Sequence, residues 1–246
     1  MVKWREWTGA PGAPGGAGAG RAVAEEDEAL DRAAALLDAG GVVAHPTSTV
    51  YGLGGRPRPD VDARIAAIKR RPPGPLIQLA ANRAALREAL PATRWAEAAR
   101  RLADAFWPGP LTLVLEDGSD DGVAVRVDPH PVVRRLLDRA GGLLTSTSLN
   151  VTGKPPARTG RQVRAVLSRV GSAVGTVGWL DAGDLAASTP STLVRVRGEA
   201  VELLREGAVP AADVARILSA HAPASPHPPG SPQSPGFRPP PGRSAR

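Results

Sequence analysis

Cysteine is absent from this 246-residue chain, which excludes disulfides and thiolate metal sites. Histidine is nearly as scarce. His45, His130, His221 and His227 lie too far apart for a short metal-ligand spacing, so no protein-held metal is expected. Aromatic residues make up 3%, which leaves Ala, Val and Leu to fill the core. No apolar run approaches the roughly 18 residues of a membrane-spanning helix. The opening "MVKWREWTGAPGAPGGAGAG" lacks the apolar centre of a secretory signal. The expectation is a cytoplasmic protein with no membrane partner. Also missing are a Gly-x-Ser-x-Gly elbow, the Gly-Lys-Ser/Thr ending of a Walker loop and a dinucleotide fingerprint. His45 and His130 each adjoin a proline, a poor setting for a Ser/His/Asp triad.

What is there suffices for a folded domain. Hydrophobic residues reach 42%, and the length fits one large domain or two small ones. A net charge of +7 and an isoelectric point near 11.0 point toward nucleic acid, but the charge sits at the ends. Residues 1–22 carry Lys3, Arg5 and Arg21 against Glu6. Residues 219–246 carry Arg238, Arg243 and Arg246 and no acid, so the body between keeps a net of only +2. A few tail cations would give weak, salt-sensitive RNA contact. Residues 1–22 read as a flexible Gly/Ala/Pro leader. Residues 221–246, "HAPASPHPPGSPQSPGFRPPPGRSAR", read as a disordered Pro-rich tail. The domain is placed at 23–220.

Within it, helix and strand patterns alternate. "EEDEALDRAAALLDAGG", "PDVDARIAAIKR", "NRAALREAL", "TRWAEAARRLADAF", "PVVRRLLDRAGG", "TGRQVRAVLSRVG" and "PAADVARILSAH" read as helices. Asp60, Asn82 and Thr93 are the expected caps, and Pro131 an expected first residue. "VVAHPT", "LIQLA", "LTLVLE", "VAVRVD", "GLLTSTSLN", "STLVRVRG" and "AVELLREG" read as strands, the last two joined by a tight turn at Gly198. This mixture predicts an α/β or α+β fold around a mixed sheet.

Five clusters could carry chemistry. "HPTSTVYGLGG", 45–55, reads as a loop whose glycines admit a close ligand or merely turn the chain. Lys69, Arg70 and Arg71 end a helix; they either complement its C-terminus or clamp phosphate. Arg126, in an alternating strand, faces solvent or pairs with a carboxylate in a cleft. "LLTSTSLNVTGKP", 143–155, places Ser146, Ser148, Asn150 and Thr152 at every second position. An extended segment turns these to one side, either a wet surface or the wall of a site. Ser191, Thr192 and Arg205 lie at strand ends, where sites are often built.

Taken in order, "PTSTVYGLG", "IKRRPPGPL", "FWPGPLTLVL", "VAVRVDPHP", "STSLNVTGKP", "PSTLVRV" and "LLREG" resemble the YrdC/Sua5 family, the threonylcarbamoyl-AMP synthases of tRNA modification. The resemblance spans about residues 25–218 and matches the short, single-domain type. It implies a twisted open mixed sheet flanked by helices. It implies an enzyme that joins L-threonine, bicarbonate or CO2 and ATP into threonylcarbamoyl-AMP and pyrophosphate, then hands the product to a tRNA threonylcarbamoyl transferase. By the same resemblance, Lys69 and Arg71 hold the nucleotide and serve catalysis. Arg205, Ser148 and Asn150 also meet ATP. Thr47, Arg126, Ser146 and Ser191 meet threonine, with Arg126 on its carboxylate. Mg2+ is expected on phosphate oxygens rather than in a protein cage.

The sequence departs from the family at Ser48 (usually acidic), Arg70 (usually Gly), Gly74 (usually Asn, in a segment one residue shorter), Leu79 (usually His), Leu149 (usually Ala) and Pro156 (usually Ser). The cations are better kept than the neutral polar contacts. Two further readings use the same residues: an RNA-binding module, and a carbamoyl-adenylate enzyme with a different acceptor, as in the related domain of hydrogenase maturation proteins.

Overall fold

The structure, a computed structural model, describes residues 2–7, 19–72, 74–169 and 175–220. The tail at 221–246 lies outside the described residues. The elements run β1 (Lys3–Trp7), α1 (Ala19–Asp38), β2 (Val42–His45), β3 (Gly52–Gly55), α2 (Pro59–Lys69), β4 (Ile77–Ala80), α3 (Arg83–Ala89) and α4 (Glu97–Phe106). They continue with β5 (Leu111–Leu115), β6 (Val123–Val127), α5 (Pro131–Arg139), β7 (Leu143–Ser148), α6 (Gly160–Leu167), β8 (Val177–Asp181), β9 (Thr192–Arg197), β10 (Ala200–Arg205) and α7 (Ala211–Ser219).

These strands form one mixed sheet in the order β1-β8-β2-β3-β7-β4-β6-β5-β9-β10. The pairs β2–β8, β4–β6 and β5–β9 are parallel, and the others antiparallel. Successive side chains of a strand face opposite ways, so both faces carry core. On β2, Val43 packs with Leu30, Leu37, Val133 and Leu137 from α1 and α5. Val42 and Ala44 pack with Ile65 and Val163 from α2 and α6. A third cluster joins α4 and α7 to β5, β6 and β9 through Leu102, Leu113, Val194 and Val214.

Three expectations need correction. The stretch read as a flexible leader supplies edge strand β1, paired antiparallel with β8, and residues 19–22 already belong to α1. Trp4 and Trp7, three apart, pack on opposite faces of this strand, and aromatic residues suit a pleated edge, a signal hidden by the Gly-rich stretch behind it. "GLGG" is strand β3 rather than a turn. Two caps also move. Arg58 precedes α2, and Asp60 binds its guanidinium. Ala96 precedes α4, while Thr93 bonds to the Leu90 carbonyl. Asn82 does cap α3, accepting from the Ala85 amide at 2.9 Å, and Pro131 opens α5.

Candidate active site

The face of the sheet under α1 and α5 changes character along its strands. On β7 buried Leu144 gives way to Ser146 and then Ser148. On β2 Val43 gives way to His45, and on β4 Leu79 is followed outward by Ile77. Hydroxyls thus succeed core residues in a single row. They open into a cavity of about 270 Å3 lined by Thr47, Arg126, Ser146, Ser148, Ser191 and Arg205, with Asn150 also at its wall. The alternation across 146–152 is therefore a site wall as far as Asn150. It ends there because β7 stops at Ser148; Thr152 turns away and donates to the Lys69 carbonyl at 3.0 Å.

Arg126 is fixed before any ligand arrives. It is 4% exposed and forms a buried ion pair with Asp128. Its Nε donates to the Gly109 carbonyl at 3.0 Å, Nη2 to Ser48 Oγ at 2.9 Å and Nη1 to Thr49 Oγ1 at 3.3 Å. A guanidinium has five N–H donors, so one remains for the cavity. Gly109 of the "FWPGPL" segment contributes to this placement. The Gly109 amide binds the Val127 carbonyl at 2.9 Å, and a Cβ there would lie 2.0 Å from the Phe106 carbonyl oxygen. Burial lowers the Arg126 pKa and Asp128 raises it; the guanidinium stays charged.

Asp128 was not legible as a site residue. Fully buried, it accepts from the Ser48 amide at 2.9 Å, Ser48 Oγ at 3.1 Å and the His130 amide at 2.9 Å. A carboxylate is therefore present beside Ser48, supplied from the end of β6 instead of from position 48. Thr47 Oγ1 donates to the Val50 carbonyl at 2.6 Å and accepts from the Val50 amide at 3.2 Å, a local turn that holds 47–50 rigid.

Opposite, the β9–β10 end brings in Ser191 and Arg205. Ser191 Oγ lies 2.9 Å from Thr112 Oγ1, and Arg205 Nη2 donates to the Ser191 carbonyl at 2.8 Å. Gly207 permits this, since a Cβ there would meet the Pro190 carbonyl oxygen at 2.2 Å. Arg205 is close enough to depress the Arg126 pKa, so both cations act on one space.

Lys69 and Arg71 do not line this cavity. Lys69 is buried beneath the loop after β7, where Nζ donates to the Ser148 carbonyl at 2.5 Å, the Asn150 carbonyl at 3.2 Å and Asn150 Oδ1 at 2.9 Å. All three ammonium protons are engaged. Burial, and then the neighbouring Arg71 cation, bring its pKa down to about 8. Arg71 Nε is buried without a hydrogen-bond partner among the described residues. Between them Arg70 takes a left-handed φ of 52°, a conformation natural to glycine.

Among the described residues no three or more His, Asp or Glu side chains are placed to hold a metal, and Asp128 is committed. No described helix is long and apolar enough to cross a membrane. A larger groove of about 570 Å3 lies at the far end of β5 and β9, lined by Arg94, Glu116, Asp120, Asp121, Arg195 and Arg197; its signs are mixed and it contains none of the clusters singled out above.

The fold and site define an α/β protein with a small, hydroxyl-lined cavity flanked by two arginines. Residues 35–207 match the Sua5/YciO/YrdC family, described as telomere recombination, and the chain belongs to that family. It is 36% identical over 177 residues to the threonylcarbamoyl-AMP synthase of Xanthomonas oryzae pv. oryzae (strain PXO99A), covering 68% of this chain and 91% of that one. It is 43% identical over 145 residues to the threonylcarbamoyl-AMP synthase of Halorhodospira halophila (strain DSM 244 / SL1), covering 54% and 74%. A crystal structure of P. abyssi Sua5 complexed with L-threonine superposes with a TM-score of 0.69 at 31% identity, covering 78% of this chain and 57% of that one. This chain thus spans little more than half the length of that Sua5.

Proposed function

We infer that this chain is an L-threonylcarbamoyladenylate synthase, a nucleotidyltransferase that acts in the cytoplasm. The observation that carries this is the cavity: it gathers Thr47, Arg126, Ser146 and Ser191 around one space and places Ser148, Asn150 and Arg205 at the same wall. A volume of about 270 Å3 lies below the roughly 300–1,000 Å3 of drug-sized sites. It suits an amino acid and not a whole nucleotide. Threonine occupies the cavity, with its carboxylate on the uncommitted Arg126 donor and its methyl against Ile77 and Leu79. Leu79, a departure from the family, then completes an apolar wall.

The nucleotide lies outside, across the loop that Lys69 anchors. The threonine amine and bicarbonate give a carbamate and water. A carbamate oxygen attacks the α-phosphorus, a new P–O bond forms, and the bond to the β-phosphate breaks to release pyrophosphate. Such a displacement is catalysed mainly by positioning and electrostatics. Arg205, Arg71 and the buried Lys69 charge supply the field, and Lys69 also fixes Ser148 and Asn150. Mg2+ enters with ATP on phosphate oxygens. The product passes to a tRNA threonylcarbamoyl transferase, with at most weak, salt-sensitive tRNA contact by the basic tails.

The test is an adenylate assay with the full chain, ATP, Mg2+, threonine and labelled bicarbonate, captured quickly. Threonine-dependent label in an AMP adduct is expected. No adduct with threonine but turnover of carbamoyl phosphate would overturn the reading in favour of another acceptor.

A further inference from the structure

His45 belongs to none of the roles assigned so far, yet it is fully buried directly behind the cavity wall. Its Nδ1 lies 3.3 Å from the Pro46 carbonyl oxygen, and its Nε2 lies 3.1 Å from Ser146 Oγ. Strand β3 is shaped around the ring. Gly52 and Gly54 flank His45 and Val43 in the β2–β3 register. A Cβ on Gly52 would sit 2.5 Å from His45 Cε1 and 3.0 Å from Ser146 Oγ, and one on Gly54 would sit 3.1 Å from Nε2. Gly52 thus leaves the space the imidazole fills, and Gly54 yields first to the Thr145 carbonyl oxygen, 2.6 Å from a Cβ there, and then to the ring.

The chemistry of these contacts sets a direction. A carbonyl oxygen only accepts, so the proton belongs on Nδ1. In a neutral imidazole the other nitrogen is then an acceptor. Burial keeps the ring neutral, lowering its pKa to about 4 against the opposing pull of Asp128. Nε2 must therefore take the hydroxyl proton of Ser146.

We propose that His45 is a positioning residue that locks Ser146 as a hydrogen-bond acceptor toward the cavity, so that Ser146 recognises a donor of the bound amino acid. The donor is the amine or the side-chain hydroxyl. This rests on the reading of the cavity as an amino-acid site, but the proton arrangement of His45 does not. A site that presents an acceptor discriminates against a ligand lacking the matching donor, because its own polar group is left unmatched.

Two measurements decide it. Nitrogen NMR of the histidines in the ligand-free protein should show His45 as the neutral Nδ1–H tautomer throughout pH 6–8. The opposite tautomer, or an imidazolium at pH 6, would overturn the proposal whether or not threonine binds. Calorimetry then compares L-threonine with L-2-aminobutyrate, which keeps the amine and lacks the hydroxyl, in the wild type, His45→Phe and Ser146→Ala. About 3- to 10-fold weaker threonine binding is expected in both variants, the loss of one neutral hydrogen bond. If the hydroxyl is the donor, the preference for threonine collapses in both; if the amine is, both ligands weaken together. Unchanged binding of both ligands in Ser146→Ala would overturn the recognition half. Should His45→Phe fail to fold, Ser146→Ala and the NMR still decide. No threonine binding by the wild type, with the tautomer as stated, would count against the proposed function and not against the lock.

Discussion

The two ends of the site are held in opposite ways. Around Arg126 the buried charges are paired: Asp128 binds the guanidinium, the Ser48 hydroxyl and two backbone amides, and a single guanidinium donor is left for the cavity. Around Lys69 a buried cation is held by neutral carbonyl and amide oxygens, with Arg71 adding charge of the same sign. Arg126 is electrically balanced by Asp128 before a ligand arrives, with Arg205 across the cavity from it, whereas the Lys69 end carries a positive surplus. The balanced end is built to read shape in a small zwitterion. The surplus end is built to receive negative charge that the protein does not itself supply, as a triphosphate would.

The largest effect should come from unbalancing the balanced end. Asp128→Ala strands a buried arginine and orphans two amides, which typically costs about 3–5 kcal/mol. Denaturant unfolding should show that loss, with threonine binding abolished. A loss under about 1 kcal/mol would mean that the two ends do not differ in this way.

The surplus end should instead show itself in pH. Lys69 loses its proton near pH 8 in the folded protein, against an ordinary value of 10.5. The folded state thus binds fewer protons than the unfolded state between these values, and stability contributed by this group rises with pH across that window. Nucleotide affinity runs the other way, because the neutral amine no longer attracts phosphate. ATP binding measured from pH 7 to 9.5 should weaken through pH 8 in the wild type and stay level in Lys69→Arg, whose charge does not titrate.

The smallest effect sharpens the same end. Arg70 holds a φ of 52° and a ψ of 49° as the residue closing α2, and glycine there avoids the Cβ clash of the left-handed region. Arg70→Gly should raise thermal stability by roughly 0.5–1 kcal/mol and leave the adenylate assay unchanged, because the Arg70 side chain, among the described residues, bonds to the Arg169 carbonyl and not to the cavity.

Much of this architecture was legible in the sequence. The helices with clear apolar stripes and the hairpin turning at Gly198 follow directly from period and punctuation. Thr47, Arg126, Ser146, Ser148, Asn150, Ser191 and Arg205 do converge. What was not legible is instructive. β3 is made of residues with low strand propensity, and it is a strand because β2 and β7 pair with it on either side. Asp128 looked like the end of an alternating run, and only the fold brings residue 48 beside it. Lys69 read either as a complement to its helix C-terminus or as a phosphate clamp; its burial depends on a loop some eighty residues away. Propensity and spacing register what a residue does alone, and these three are defined by partners distant in sequence.

Edge strand β1 has a consequence for anyone handling the protein. Val2 is buried, the Trp4 ring lies against Gly178, and Arg5 pairs with Asp181 and stacks over Trp179. Trimming these residues as a dispensable leader would bare the backbone of β8, an open template for pairing with other chains. Residues 2–7 thus form one border of the sheet, and a preparation shortened there would present β8 as an edge in their place.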